Sequence, residues 1–536
     1  MIRRIVSAIM VAALAAALWY VAATTYDPLY GAKVMDDMTY SEVAADEDLN
    51  TLTLWYTDEA LTDYLNYVAL AFKQEQGIKV NLVLKSGVEF LENISSASVT
   101  DESMREEAMP DLYITSHDNL LKGYLAGISS IVTDPIEIMN NSYFSDTALN
   151  AVTCYGNYVA YPLYYETSYF LYNKTYMASI AQNKIEADQD LKEGQEATEL
   201  IESGAIDPTK DAINEENNSL SATETNEELT DGAVKEEYAD GDFEDEDPMG
   251  DEDAVASKEV LEKLATMIPS TMDDITTFAN NYDAPEQVES VFKWDVTDIF
   301  YNYFFVGNYM DVGGKDGDNA AVFNIYNQQA VSCLASYQGM NQFFTMDETD
   351  TYSNILQDFI DGKLVFTVAT TDAIARIQEA KVAGEFDFEY GVTTLPDVSD
   401  LLKARGLSVT DAVAINGYSL KQNEANALAT YIVALRADEL YGKSGKIACN
   451  KNITYKDVEI ANIMTEYEKS MPLPKMVEAA NYWVQLEIAF TKVWNGADPD
   501  ETLHELSDTI GAQIEEIRAN LPTQESFLAG GGKFIQ

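Results

Sequence analysis

Residues 158–174 have the sequence Y-V-A-Y-P-L-Y-Y-E-T-S-Y-F-L-Y-N-K, in which seven of seventeen residues are aromatic and one, Glu166, is a carboxylate. The aromatic residues and Val159 favour a β-strand. Pro162 has no N–H to donate, which fits a strand end or an edge strand. Tyrosine faces beside an acceptor-only carboxylate suit a polyol with apolar C–H faces, such as a sugar. A tyrosine-rich sheet packed in the core explains the same residues equally well.

The composition is strongly acidic. The 536 residues include 33 Lys and Arg against 91 Asp and Glu, which gives a formal net charge of −58. Such a surface repels phosphate backbones, so we expect no nucleic-acid partner. Three widely spaced cysteines and two histidines form neither a disulfide framework nor a zinc motif. We therefore expect no metal site and no cofactor.

The N-terminus is predicted to direct the rest of the chain out of the cell. Arg3 and Arg4 precede an uncharged run over residues 5–23, close to the ~20 residues that a helix needs to span a membrane. Arginines before such a run hold that end in the cytoplasm. We therefore expect residues 1–24 to be a transmembrane helix that anchors the protein, with residues 25–49 as a stalk and the body on the extracellular side of the cell membrane. The alternative is a signal segment that is cleaved to release a secreted protein.

Strand and helix patterns alternate after the stalk. Residues 51–56 alternate as a strand, residues 63–76 carry apolar residues at helical spacing, and residues 78–84 form a second strand. Gly77 has the position of a helix C-cap. This strand–helix–strand order predicts an α/β fold with a parallel sheet. Further helices are expected at 455–468, 475–494 and 500–519.

The composition changes between residues 182 and 255. Asp, Glu, Asn, Ser, Thr and Gly dominate there, and residues 240–247 are nearly all acidic. Because too few apolar residues remain to offset the entropy of ordering, we predict that this acidic insertion is disordered. An EF-hand starting at Asp240 would need glycine where Asp245 stands, so that calcium motif is excluded. Weak ion binding by the acidic run stays open.

Seven segments, within roughly residues 50–178 and 257–520, occur in the order of one protein family. They are residues 52–56 with 72–80 (F-K-Q-E-Q-G-I-K-V), 110–111, 117–118, 161–174, 362–368, 390–396, and 471–476 with Trp483. In this order they resemble the extracellular solute-binding proteins of ABC importers, of the family 1 sugar-binding type that includes maltose-binding protein. The acidic insertion is foreign to that pattern, and Thr115 and Asp372 stand where the family has aromatic residues.

The resemblance implies a two-lobed, periplasmic-binding-protein-like α/β fold with a ligand cleft between the lobes. Hinge crossings are expected near residues 164–166 and 388–393. The expected division of the chain is lobe 1 at residues 50–165 and 389–445, and lobe 2 at residues 166–388 and 446–536.

The resemblance also implies a set of ligand-binding residues at the cleft. They are Trp55, Asp58, Glu59, Asp118, Glu166, Tyr301, Asn302 and Trp483, with Asp372 and Asp411 as further acceptors at the rim. The carboxylates would accept hydroxyl hydrogen bonds, and Trp483 would stack on a sugar face. Structural alternatives stay open, namely a helix N-cap for Asp118, a hinge salt bridge for Glu166, and core packing for Trp483 and residues 301–302.

The function implied is that of a monomeric substrate-binding component, without catalytic residues, that passes a small solute to ABC importer permeases. An oligosaccharide is the expected solute, and a cationic peptide or polyamine is the alternative that the acidity suggests. A secreted carbohydrase is a rival function, because two carboxylates flanking one bond would suffice. Against it, the sequence lacks a G-x-S-x-G elbow, a P-loop and an H-E-x-x-H motif. A ligand-sensing surface receptor would use the same cleft.

Overall fold

The computed structural model describes residues 51–100, 108–202, 251–344, 350–479 and 481–520. The predicted anchor and stalk lie outside these residues. Within the described ranges, no helix combines the length and the apolar character that a membrane span requires.

Strands and helices alternate through the described ranges. The strands are β1 (Thr51–Tyr56), β2 (Lys79–Leu84), β3 (Leu112–Ser116), β4 (Thr153–Cys154), β5 (Asn157–Tyr158), β6 (Ala160–Asn173), β7 (Ser290–Lys293), β8 (Asp311–Val312), β9 (Phe323–Asn324), β10 (Leu364–Thr370), β11 (Tyr390–Thr393), β12 (Leu407–Ile415) and β13 (Met471–Pro472). The helices are α1 (Thr62–Gln76), α2 (Phe90–Val99), α3 (Leu120–Leu125), α4 (Asp146–Ala151), α5 (Lys174–Glu202), α6 (Asp251–Ala265), α7 (Met272–Asn281), α8 (Gln328–Met340), α9 (Tyr352–Ile360), α10 (Ala373–Ala383), α11 (Gln422–Thr430), α12 (Leu440–Ser444), α13 (Glu459–Lys469), α14 (Tyr482–Trp494) and α15 (Pro499–Asn520).

A nine-stranded sheet connects the molecule from end to end. Its order is β2-β1-β3-β12-β6-β10-β7, with β11 paired to β6 and β13 paired to β12. The expected α/β class is confirmed, but the sheet is mixed rather than parallel. The strand β1 is parallel to β2 and β3, whereas β12 is antiparallel to both β3 and β6. The expectation of a parallel sheet failed because two long strands carry the chain in opposite directions through its middle.

Two hydrophobic cores lie along this sheet. The first core contains Leu54, Phe72 and Ile114, and the second contains Phe292, Trp294 and Phe490. The strand β6 contributes to both, because Tyr161, Tyr165 and Tyr169 belong to the first core and Phe170 and Tyr172 to the second. A single 14-residue strand therefore links the two packed bodies.

The strand–helix–strand unit at the start of the described chain is confirmed. In α1 the side chains of Tyr64, Leu65, Val68 and Phe72 are buried, as their helical spacing predicts. Gly77 ends the helix with φ 71° and donates its N–H to Lys73 O at 3.0 Å. This left-handed conformation is the C-cap for which glycine is preferred.

Pro162 is the third residue of β6, at the end where this strand pairs with β12 alone, because its pairs with β10 and β11 begin only at Ser168 and Phe170. This position agrees with the expected strand end or edge. Asp411 on β12 is opposite Tyr164, and the next residue, Ala412, is opposite Pro162. Leu163 is therefore an extra residue in β6, which makes a β-bulge. A bulge also interrupts the ladder beside Pro162, so the missing N–H of proline is tolerated there.

The disorder prediction is wrong at both ends of the acidic insertion. Residues 182–202 continue α5, and residues 251–255 open α6. The cause is that the first part of α5 buries Met177, Ala181 and Ile185 at helical spacing, and the sequence after it contains mainly good helix formers. Residues 203–250 lie outside the described ranges.

Two of the three expected C-terminal helices differ in their bounds. The helix expected from residue 455 begins at Glu459, and the one expected at 475–494 is a 3₁₀ turn at Val477–Ala479 followed by α14. The last helix, α15, agrees with the prediction.

Candidate functional site

Asp58 follows the end of β1, where a 3₁₀ turn (Glu59–Leu61) begins. Its Oδ1 accepts the N–H of Ala60 at 3.0 Å, which makes Asp58 the N-cap of the turn. In open α/β sheets, ligands bind outside the carboxyl ends of the strands. The cap therefore holds a carboxylate at the edge where a ligand site is expected.

The bulge in β6 determines which segment lies beside Asp58. The carbonyl of Leu163 accepts the N–H of Cys449 at 2.9 Å, and the N–H of Tyr165 donates to Ile447 O at 3.3 Å. These two bonds bring residues 447–449 against β6. The residue immediately before them, Lys446, is thereby placed next to the strand.

Lys446 joins two of the predicted site residues. Its Nζ lies 2.9 Å from Asp58 Oδ2 and 3.1 Å from Glu166 Oε1. It also lies 4.9 Å from the ring centroid of Tyr164, whose hydroxyl donates to Asp58 Oδ2 at 3.2 Å. The salt bridge expected as the structural alternative for Glu166 is thus present. We call Asp58, Tyr164, Glu166 and Lys446 the Lys446 cluster.

The charges in this cluster stabilise one another against the cost of burial. Burial opposes the ionisation of Asp58, but the hydrogen bond and the charge of Lys446 bring its pKa below the ordinary value. Burial likewise disfavours the ammonium of Lys446, but Glu166 and Asp58 outweigh it and raise its pKa. Asp58 and Lys446 are therefore ionised at neutral pH.

Asp411 lies beside the Lys446 cluster on β12. It is opposite Tyr164 on β6 and opposite Ser116 on β3. Burial raises the pKa of Asp411 to about 7, the charge of Glu166 adds to this, and Lys446 opposes it. Asp411 is therefore the carboxyl of this region that exchanges its proton near neutral pH.

Asp118 lies on the other side of Asp411, and its side chain does not cap a helix. Ser116 is the N-cap residue of the 3₁₀ turn His117–Asn119, and its Oγ donates to Asp118 Oδ1 at 2.5 Å. The neighbouring His117 is buried, accepts the N–H of Thr410 at Nδ1 (3.0 Å) and donates from Nε2 to Leu473 O (2.9 Å). Burial, with the charge of Lys475, lowers the pKa of His117 to about 4, so a neutral imidazole fixes this turn against β12.

Trp55 and Glu59 flank Asp58 but differ in environment. The ring of Trp55 is buried under Lys85, whose Nζ lies 4.3 Å from the ring centroid. The Trp55 Nε1 has no hydrogen-bond partner among the described residues. Glu59 is exposed on the first position of the turn.

Tyr301 and Asn302 belong to a separate group in the second core. Tyr301 is buried and stacks on Tyr352 with ring centroids 4.8 Å apart, and Tyr352 donates to Asp372 Oδ1 at 2.7 Å. Asn302 accepts from Trp294 Nε1 at 2.8 Å and donates to two backbone carbonyls. Because its amide groups already bind the protein, we drop Asn302 from the proposed ligand contacts.

Trp483 is half-buried on α14. Its ring packs edge-to-face against Tyr303 and Tyr482, with centroids 5.4 and 4.9 Å away. Packing against the second core is therefore part of its role, and its exposed part leaves the predicted stacking face open to test.

A cavity of about 670 Å³ lies between α5 and α7, and none of the predicted site residues lines it. Its lining combines the apolar side chains of Ile180, Met267, Ile268 and Phe278 with polar residues. The described ranges contain no group of three or more His, Cys, Asp or Glu side chains that could hold a metal ion.

The structure therefore brings Asp58 and Glu166 together and sets Asp118 beside Asp411. Sequence reasoning missed Lys446, whose contact with Glu166 spans 280 residues of chain. The signal that could have indicated it is weak: a lysine after a helix C-cap glycine, Gly445, in a chain with few basic residues.

Comparison with known proteins gives matches among solved structures alone. No model of a known protein family matches the sequence. No curated protein sequence matches it either. An extracellular solute-binding protein from Staphylococcus aureus, in complex with maltose, superposes with a TM-score of 0.62 at 17% identity, over 88% of this chain and 100% of that chain.

Two further structures have similar scores. A cyclo/maltodextrin-binding protein in complex with maltotetraose has a TM-score of 0.59 at 16% identity, over 89% of this chain and 99% of that chain. A maltose-binding periplasmic protein from Listeria monocytogenes, in complex with maltose, has a TM-score of 0.59 at 17% identity, over 87% and 98%. The resemblance found in the sequence is thus confirmed at the level of architecture: this chain has the two-lobed α/β fold of the maltose- and maltodextrin-binding solute-binding proteins.

Proposed function

We propose that this chain is the extracellular solute-binding component of an ABC importer and that it captures an oligosaccharide where β6 and β12 run side by side. The observation that carries the proposal is the pair of carboxylates, Asp58 and Glu166, held 2.9 and 3.1 Å from one ammonium group. Glu166 lies on the linking strand β6, and Asp58 follows the end of β1. The fold that holds them is shared with proteins solved with maltose and maltotetraose.

The Lys446 cluster has the chemistry to bind sugar hydroxyls. An ionised carboxylate has about four lone-pair sites, so Asp58 and Glu166 can each accept hydroxyl hydrogen bonds in addition to the bond from Lys446. An ammonium has three donors, of which two face these carboxylates, and the third can donate to a ligand oxygen. Such charge-assisted bonds contribute about 1.5–3 kcal/mol each.

The remaining predicted residues have secondary roles in this proposal. Trp483 would supply a flat face for the apolar side of a sugar ring, and Asp118 a further acceptor. Tyr301, which is buried and stacked on Tyr352, would act only by supporting that region. Trp55 and Glu59 would border Asp58. Tryptophan fluorescence during ligand titration, measured for the wild type and for a variant without the Trp483 indole, tests the stacking role. An identical fluorescence change in the two proteins would show that Trp483 does not stack on the ligand.

We infer that lobe 1 is built around the first core and lobe 2 around the second, with closure as a hinge motion about β6 and β12. The first core also includes Ile355, Phe359 and Ile463, which the boundaries expected from the sequence put in lobe 2. The boundaries expected from the sequence, with lobe 2 resuming at residue 446, stay a prediction. Small-angle scattering with and without ligand tests the hinge, and an unchanged radius of gyration at saturation would count against it.

The proposed location is the outer face of the cell membrane, with the protein as a monomer that docks on importer permeases. Support comes from the N-terminal sequence, because residues 1–24 combine two arginines with an uncharged run. Support also comes from the extracellular and periplasmic names of the similar structures. Cell fractionation tests the anchor, and a soluble form that begins near Thr24 would show cleavage instead.

Calorimetric titration with maltose and maltotetraose tests the proposed function. We expect saturable binding that Glu166→Gln weakens about tenfold, since the loss of one charge-assisted bond costs ~1.4 kcal/mol or more. The matched control is Glu262→Gln on α6, an exposed residue whose nearest ion pair is 3.8 Å long, and it should bind like the wild type. A folded protein that binds no oligosaccharide contradicts the proposal, and turnover of any oligosaccharide would favour the carbohydrase.

A further inference from the structure

Asp411 occupies a distinct position among the carboxyl groups of the site. Residues directly opposite each other on neighbouring strands point to the same face of a sheet, with Cβ atoms about 4.5–5.5 Å apart. Asp411 is opposite Tyr164 on one side and Ser116 on the other. Its carboxyl therefore lies between the Lys446 cluster and the Ser116–Asp118 pair, on the face of the sheet that carries both.

The charges around Asp411 are predominantly negative. The titratable groups that face it from the surrounding elements are Tyr164 and Glu166 of β6, Asp58 after β1, Asp118 after β3, and Lys446 and Cys449 of the segment that pairs with the bulge. Lys446, the cation of this group, is already bound to Asp58 and Glu166. The side chain of Asp411 itself accepts no hydrogen bond from the described residues.

A fourth carboxylate in this position would be poorly compensated. Closing a cleft over a neutral sugar removes water, and desolvation beside like charges favours the protonated form of a carboxyl group. Since Asp58 and Glu166 can only accept hydrogen bonds, a protonated neighbour adds the donor that they lack. That donor suits a hydroxyl, ring or glycosidic oxygen of the ligand.

We propose that Asp411 contacts the oligosaccharide as a neutral acid, donating a hydrogen bond to a ligand oxygen, so that capture takes up one proton. The inference rests on the proposed function. Binding at a pH where Asp411 is ionised takes one proton from water, which converts the Asp411 carboxylate to the carboxylic acid in the complex. No covalent bond of the ligand changes. Affinity therefore falls as the pH rises through neutrality.

The test is the Kd for maltotetraose at pH 6 and pH 8. With burial raising the pKa of Asp411 to about 7, a group that must be protonated to bind makes the complex about tenfold weaker at pH 8 than at pH 6. Titrations in two buffers of different ionisation enthalpy should show uptake of about one proton at pH 8, where the free protein is deprotonated.

Asp411→Asn separates this proposal from its competitors. Asparagine keeps a neutral donor of the same shape, so the variant should bind at pH 8 about as tightly as the wild type does at pH 6, with no pH dependence. Asp190→Asn, an exposed position on α5, is the matched control and should keep the wild-type pH dependence. If Asp411→Asn keeps that dependence, another group causes it; the obvious one is Glu466, whose pKa burial also raises to about 7.

Thermal melting without ligand provides a second readout. In the folded state Asp411 keeps its proton up to about pH 7. In the unfolded chain the same carboxyl group loses its proton near pH 3.8. The contribution of protonated Asp411 to the free energy of unfolding is therefore lost as the pH rises from about 4 to about 7. The Asp411→Asn variant should melt above the wild type at pH 8, and this advantage should disappear at pH 4.

The outcomes can be distinguished. Tighter wild-type binding at pH 8 than at pH 6, or tight binding that does not change with pH, overturns the role of Asp411 and leaves oligosaccharide capture intact. A failure of the folded protein to bind maltotetraose at either pH overturns the proposed function and this inference with it.

Discussion

Lys446 and Lys475 have the same side chain and opposite surroundings. The ammonium of Lys446 faces the carboxylates of Asp58 and Glu166 at 2.9 and 3.1 Å. The ammonium of Lys475 is fully buried and donates to the carbonyls of Asn150 and Ala151, at 2.9 and 3.0 Å, at the C-terminal end of α4. Burial opposes the charge of both, but it is outweighed in Lys446, whose pKa is raised, and it dominates in Lys475, whose pKa is lowered.

The difference separates a lysine that supports the fold from one that supports the proposed site. The last carbonyls of a helix lack intrahelical partners, so a cation there supplies a donor and complements the helix dipole. Of the two carbonyls bound by Lys475, that of Asn150 also accepts the N–H of Val152. Carboxylates keep free lone pairs, so a cation that joins two of them leaves positions that a ligand can share. Substitutions at the two lysines should therefore affect different measurements.

Lys475→Ala should have the largest effect on stability. It leaves two buried carbonyls without their charged donor and creates a cavity, so the free energy of unfolding should fall by about 3–5 kcal/mol. Denaturant unfolding measures this, and calorimetry on the folded fraction should find the maltotetraose affinity within about twofold of wild type. Lys451→Ala, at an exposed lysine, is the control and should change stability by no more than ~0.5 kcal/mol. Equal losses in both variants would show that the Lys475 bonds contribute nothing.

Lys446→Met should have the opposite effect, with a small loss of stability and a large loss of ligand affinity. The Lys446 side chain keeps 21% of its exposure, and Glu166 keeps 42%, so solvent screens the pair and its loss should cost ~1 kcal/mol or less of stability. Without the ammonium, Asp58 and Glu166 repel each other and lose their fixed geometry, so affinity should fall about tenfold. Lys443→Met on α12, where the lysine pairs with Glu439 at 3.6 Å, is the matched control. If Lys443→Met loses as much affinity as Lys446→Met, the effect on binding comes from helix α12 and not from the Lys446 cluster.

The two lysines also show how far the sequence could lead. The β1–α1–β2 unit was predictable because apolar spacing and Gly77 are local signals. Asp58 and Glu166 could be selected as candidates because one follows a strand end and the other lies in an aromatic strand, and their role in binding stays a prediction. Lys446 was not, because a bulge at Leu163 pairs β6 with residues 447–449, and no local pattern marks that pairing. The structure places both lysines through contacts that are distant in sequence.

Aromatic residues were the least reliable indicators of the site. A run of tyrosine and phenylalanine is expected both in a sugar site and in a core, and only the structure separates the two. Tyr301 is buried against Tyr352, and Asn302 binds Trp294 and backbone carbonyls. The disorder prediction failed at both ends of the acidic insertion, because the helix that buries Met177, Ala181 and Ile185 continues into acidic sequence rich in helix formers.

Tyr164→Phe should give the smallest effect and the most specific information on the Lys446 cluster. It removes the hydroxyl that donates to Asp58 Oδ2 at 3.2 Å and keeps the ring that lies 4.9 Å from Lys446 Nζ. A hydrogen bond to an ionised carboxylate contributes about 1.5–3 kcal/mol, but water can replace much of it because Asp58 is 30% exposed. We therefore expect calorimetry to show an affinity about two- to threefold lower than wild type.

The adjacent tyrosine supplies the control for that measurement. The Tyr165 hydroxyl is buried without a hydrogen-bond partner among the described residues, so Tyr165→Phe removes a polar group that gains nothing from folding. It should leave affinity unchanged and stability equal or slightly higher, because a buried unsatisfied hydroxyl is a cost. If both variants bind like the wild type, the Tyr164 hydroxyl does not help to orient Asp58. The bridge from Lys446 to Asp58 and Glu166 would then by itself hold the carboxylates for the ligand.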